Sequence, residues 1–93
     1  MDQTEALTAA QSFVREKQKQ LNIELDVVPQ SLSRIASGWA FTYQSRLYLE
    51  SRELSQMLVG QGPIVMLDDG RILEGGSLDR GPGDVLQRHG IKA

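Results

Sequence analysis

The pattern of apolar residues predicts an α+β domain: a four-stranded antiparallel sheet with a long N-terminal helix packed on one face and a short C-terminal helix. Three observations carry this. The first twenty residues repeat at three- and four-residue spacing, the following stretches alternate with period two, and no long helix separates any two strand-like segments. Parallel strands need crossovers of a dozen or more residues, so the sheet has to be antiparallel. A helix with one apolar face then buries it on that sheet.

In the first segment Ala6, Ala10, Phe13, Val14 and Leu21 share a face, and Asp2 with Glu5 three positions on forms a capping box. Arg15 to Gln20 is charged but mixed in sign, which suits a solvated helix face with ion pairs. From Ile23 the period becomes two, with Ile23, Leu25 and Val27 alternating with Asn22, Glu24 and Asp26. Pro29 cannot donate to a ladder, so this strand is an edge, or bends there and resumes through Leu32 and Ile35. Ser37-Gly38 turns into Trp39 to Ser45, where Trp39, Phe41 and Tyr43 alternate on a face suited to receive Phe13 and Val14.

Leu47 to Gln61 reads as a loop with a helical turn, entered at Ser51, carrying Leu54, Met57 and Leu58 and closed by Gly60 and Gly62. The run Pro63 to Leu67 and the segment Arg71 to Glu74 form a hairpin with Asp69-Gly70 at its tip. Gly75-Gly76-Ser77 and Gly81-Pro82-Gly83 bracket a glycine-rich connection. Asp84 then caps a helix from Val85 to His89 that ends at Gly90.

The 93 residues suffice for one domain spanning 1–93, and an apolar fraction of 40% with 24% charged residues is ordinary for a soluble globule. A net charge of −2 offers no field for a polyanion, so nucleic acid is not an expected partner, and a charged partner is more readily basic than acidic. With no cysteine there are no disulfides, zinc thiolates or thiol nucleophiles. No apolar run approaches the roughly 18 residues of a membrane span, and the N-terminus lacks the basic and apolar regions of a secretion signal. The expectation is a cytoplasmic protein without membrane contact.

Catalytic and ligand-binding constellations are weak. His89 and Asp84 with a serine would be needed for a hydrolase, but no Gly-x-Ser-x-Gly elbow is present, and a histidine beside a terminal glycine suits a helix cap. Asp68 and Asp69 are adjacent, so their side chains point apart, and Asp68 to Arg71 lacks the spaced oxygen donors of an EF-hand. The glycine pairs lack the Gly-Lys-Ser/Thr ending of a phosphate loop. No cofactor, metal or enzymatic activity is expected. What stands out is charge placement: between Asp68 and Asp84, five acids (Asp68, Asp69, Glu74, Asp79, Asp84) face only Arg71 and Arg80, a local charge of −3. These seven residues, with Tyr48 as the aromatic outside the core alternation, are the expected partner-binding set.

The strand Ser37-Gly38-Trp39-Ala40-Phe41-Thr42-Tyr43-Gln44-Ser45, the downstream Tyr48-Leu49-Glu50, the entry Gly60-Gln61-Gly62-Pro63-Ile64-Val65 and the turn Asp69-Gly70-Arg71-Ile72 resemble the immunity protein 35 family, also called YrhB-like. The resemblance covers roughly residues 5 to 92. It implies a small cytoplasmic α+β protein of bacterial toxin and contact-competition systems, whose partner is a cognate toxin or secreted effector that it binds and neutralises without catalysis. The alternative from the residues is a small chaperone-like protein that stabilises clients, which requires an exposed apolar patch beyond a few hundred Å². The oligomeric state is left open.

Overall fold

The computed structural model describes residues 1–91. The first helix, α1 (Gln3–Leu21), begins at the expected capping box: Asp2 Oδ1 accepts the Glu5 amide at 2.8 Å, and Glu5 Oε1 accepts the Asp2 amide at 3.4 Å. It ends at Asn22, whose left-handed backbone (φ 57°) turns the chain. Ala6, Ala10 and Val14 form its buried stripe. Phe13 stands edge-on to Phe41 and Tyr43, with ring centres 5.9 and 6.2 Å away.

The α+β class, the antiparallel pairing and both terminal helices are as expected, but the four strands are cut into six and shared between two sheets. Strand β1 (Leu25–Val27) pairs with β4 (Tyr43–Ser45), while β2 (Ser33–Ile35), β3 (Gly38–Phe41), β5 (Gln61–Leu67) and β6 (Ile72–Gly76) form the larger sheet in the order β2-β3-β5-β6. One long bent hairpin explains the split. Val27 pairs with Tyr43 and Ser33 with Ala40, so residues 28–32 bulge against only Phe41 and Thr42. Ser31 ties the bulge down, its Oγ accepting the Thr42 amide at 3.1 Å and donating to the Val28 carbonyl at 2.7 Å. Pro29 therefore lies in the interruption between β1 and β2, both of which are edge strands, and the pairing resumes beyond the bend.

The larger sheet is covered on both sides. Phe41, Ile64 and Met66 join Ala6, Ala10, Val14, Leu25 and Tyr43 in a core under α1, with Phe13 and Trp39 packed against it. On the opposite face Val65, Leu67 and Leu73 meet Val85 and Leu86 of α3 (Pro82–Arg88). This is why Ile64 to Leu67 is a continuous apolar run: successive side chains feed two cores. Each fully buried aliphatic or phenyl side chain there contributes about 1.5–3 kcal/mol relative to exposure.

Several local boundaries differ from expectation. Ile23 lies outside the strand and is exposed, as is Leu21, because the Asn22 cap reverses the chain before β1 begins. The helix between the sheets starts earlier than Ser51: α2 (Arg46–Ser51) is capped by Ser45 Oγ, and a separate 3-10 turn covers Leu54–Gln56. The hairpin tip is a three-residue loop, with Gly70 in a left-handed conformation (φ 96°) after a turn centred on Asp68-Asp69. Gly75 and Gly76 belong to β6 rather than to a loop. Across a bulge Gly62 faces the Gly75-Gly76 backbone and Gly75 faces the Pro63 carbonyl, and a Cβ on Gly62 would collide with the Gly76 carbonyl. The last helix is entered at Gly81 with Pro82 as its first residue, and Asp84 reaches back to the Arg80 amide at 2.8 Å instead of sitting at the cap. Among the described residues no helix is long and apolar enough to cross a membrane.

Candidate interaction surface

The residues from Asp68 to Asp84 are distributed along the hairpin and the connection to α3, and most of their charge is already answered. Asp68 forms a two-pronged pair with Arg34 of β2, at 2.8 and 3.0 Å. This guanidinium also bonds the Gly38 carbonyl at 3.1 Å and lies 5.9 Å from the Trp39 ring. The Arg34 hydrogen bonds hold the Asp68 carboxyl below its ordinary range. Asp69 folds onto its own turn, accepting the Arg71 amide at 3.0 Å and Arg71 Nε at 2.9 Å, and the backbone donor first of all lowers its pKa.

Glu74 pairs with Lys17 of α1 at 2.6 Å, and the ammonium also lies over the Phe13 ring. That hydrogen bond raises the Lys17 pKa. Asp79 is the most enclosed acid, its side chain only 8% exposed. Its Oδ2 accepts the Gly76 amide at 2.7 Å and Arg88 Nη1 at 2.7 Å, and the amide is the main cause of its lowered pKa. Arg88 also donates to the Glu74 carbonyl at 3.2 Å. The Arg88–Asp79 pair thus occupies the outer edge of β6 with side chains where another strand would bring backbone.

With Lys17, Arg34 and Arg88 brought in from elsewhere in the chain, five carboxylates stand among five cations. Five acids against two bases, counted along the sequence, overlooks donors that folding delivers. Tyr48 belongs to α2, half-buried, with the Arg52 guanidinium 5.6 Å from its ring centre. His89 closes α3: its ring Nδ1 is 2.9 Å from the Val85 carbonyl, Gly90 adopts φ 74°, and the Ile91 amide returns to the Leu86 carbonyl. No three His, Asp or Glu side chains converge as metal ligands among the described residues.

A second surface escaped the sequence reading. Leu21, Ile23, Leu47, Leu54, Met57 and Val59 are all exposed, Leu54 and Val59 by more than three quarters. Ile23, Leu47, Met57 and Leu58 line one groove of about 620 Å³ between the end of α1, α2 and the 3-10 turn. Its outer wall is held by two glutamines. Gln44, 7% exposed, pairs its amide with the Leu58 backbone as a strand would, donating to the carbonyl at 3.0 Å and accepting the N–H at 2.6 Å. Gln61 Nε2 adds bonds to the Leu58 and Tyr43 carbonyls. The available signal was a surplus: Leu54, Met57, Leu58 and Val59 are more apolar side chains than a three-residue helical turn can bury.

Residues 4–82 match the immunity protein 35 family. The chain belongs to that family. The matched segment starts where the resemblance in the sequence does and stops as α3 begins, so the helix that closes the second core lies almost wholly beyond it. Searches of curated proteins and of solved structures returned no match. In this immunity protein 35 member, the Gly-Trp-x-Phe-x-Tyr strand supplies Phe41 and Tyr43 to the core, and Gln44 to the groove wall.

Proposed function

We propose that this immunity protein binds a cognate toxin or secreted effector in the cytoplasm and neutralises it stoichiometrically, by covering the toxin's active or substrate-binding site. Family membership over residues 4–82 is the observation that carries this reading. Support also comes from the outward chemistry of the fold, with charged side chains at the hairpin and an apolar groove that the described residues leave uncovered. Asp68, Asp69, Arg71, Arg80 and Asp84 are exposed and are offered as contacts, and half-buried Tyr48 of α2 as a separate one. Glu74 and Asp79 act mainly within the fold, through Lys17 and Arg88.

The test is co-expression with the candidate toxin domains encoded by the genes that neighbour this one. Protection of the host and a stoichiometric complex on size exclusion are expected; unprotected cells and no complex would sink the reading. The exposed apolar groove also suits the chaperone-like alternative. Capture experiments from lysate separate the two, since a chaperone recovers many proteins and a dedicated inhibitor one.

A further inference from the structure

We infer that the groove between the end of α1, α2 and the 3-10 turn is the anchor site for the toxin, and that its occupant is an amphipathic helix carrying Lys or Arg beside an apolar stripe. The inference rests on the proposed toxin-neutralising function and names the part of the surface that performs it. Three exposed large apolar side chains, Ile23, Leu47 and Met57, line this groove, and three more, Leu21, Leu54 and Val59, are the chain neighbours of the lining residues Asn22, Ser55 and Leu58. A cluster of that kind, rimmed by polar groups, marks an interaction site.

The charge at the rim selects the partner. Glu50 lies three residues after Leu47 on the same helix, and so on neighbouring surface, while Glu53 immediately precedes Leu54. Neither forms an ion pair among the described residues. Of the nearby cations, Arg46 pairs with Asp26 and with Glu24, which itself lines the groove, and Arg52 lies over the Tyr48 ring. The groove thus combines an apolar strip of Ile23, Leu47, Met57 and Leu58 with a border on which Glu24, Glu50 and Glu53 outnumber Arg46 and Arg52. A basic amphipathic helix answers both features, its apolar face entering the groove and its cations meeting Glu50 and Glu53. The Leu58 backbone on the outer wall is already paired with Gln44, so a side-chain interface fits this site better than an added strand.

The experiment measures binding of the candidate toxin domain encoded beside this gene to three proteins: the wild type, the pair Leu47→Gln with Met57→Gln, and the pair Glu50→Lys with Glu53→Lys. All four positions are at the surface, and the charge pair removes no apolar contact, so it decides the matter if the first pair folds poorly. The apolar pair is expected to weaken binding about 100-fold. The charge pair is expected to weaken it about tenfold, chiefly through slower association, and to flatten its dependence on salt. Wild-type binding with both variants within about twofold of it overturns the inference and leaves the toxin-neutralising reading standing. Absence of any wild-type complex overturns both. Sedimentation of the free protein as a dimer that Leu47→Gln dissociates assigns the groove to a second copy and likewise overturns the inference.

Discussion

Replacing Gln44 by methionine keeps the volume of the side chain and removes its amide. Three hydrogen bonds are lost: those to the Leu58 carbonyl and amide, and the 2.8 Å bond from the Ser45 amide to Gln44 Oε1. A typical hydrogen bond contributes about 1 kcal/mol net, and a donor left buried without a partner costs about 1–3 kcal/mol. Ser45 is buried, so its amide bears that penalty in full, whereas Leu58 regains water if its segment lifts away. The expected loss is about 2–4 kcal/mol, a fall in Tm of roughly 10 °C or more for a domain of this size. Urea unfolding measures the total, and amide exchange at Leu58 locates it, because the segment from Glu53 to Gly60 should open before the sheets do. A change below about 0.5 kcal/mol, with Leu58 exchange unaltered, would refute the assignment of Gln44 as the clamp of the groove wall.

Phe13→Ala removes two edge-on ring contacts from a partly buried site and should cost about 2–3 kcal/mol by chemical denaturation, below the value for a fully buried phenylalanine. Gly38→Ala drives a Cβ into the Met66 carbonyl across the β3–β5 ladder and should destabilise by at least about 1–3 kcal/mol, read as reduced soluble yield and Tm. The folded pKa values of Asp68, Asp69 and Asp79 lie below the ordinary 3.8, so the stability they confer is complete above that value and is lost as the pH falls through the lowered ones. Urea midpoints between neutral pH and pH 2 should show that loss, and Asp79→Asn should reduce its slope. Lys17 and Tyr43 are raised, Lys17 by its bond to Glu74 and Tyr43 by burial, so their contribution is complete below pH 10 and declines as the pH rises above it. Lys17→Met should flatten the alkaline limb of the same titration.

Local chemistry explains which parts were legible in the sequence. The capping box at Asp2 and Glu5, the hairpin joining Pro63–Leu67 to Arg71–Glu74 and the alternation of Phe41 with Tyr43 depend on residues close in the chain, and all three stand in the structure, the hairpin with its turn one residue earlier than Asp69-Gly70. The break at Thr42 depends on Ser31, eleven positions earlier, which stabilises a backbone that leaves one sheet for another. No period reports such a contact. The charge of the hairpin misled for the same reason, since Arg34 and Lys17 reach it only after folding. Apolar spacing identified Leu54 and Met57 as hydrophobic without showing that the described residues leave them exposed.

The edges of the β structure bear on how a toxin can be recognised. Along one side, residues 28–32 interrupt the outer strand, and along the other the Arg88–Asp79 pair occupies backbone groups of β6. Strand addition relies on main-chain bonds common to every sequence, and here it would find only the three-residue edges β1 and β2 on that side, which favours selection of a partner by side chains. Recognition and folding are thereby carried by separable sets of residues. If the groove is the anchor proposed above, a lineage of such proteins would follow a changing partner through substitutions at Leu47, Glu50, Glu53 or Met57 while β5 and its two cores stay as they are.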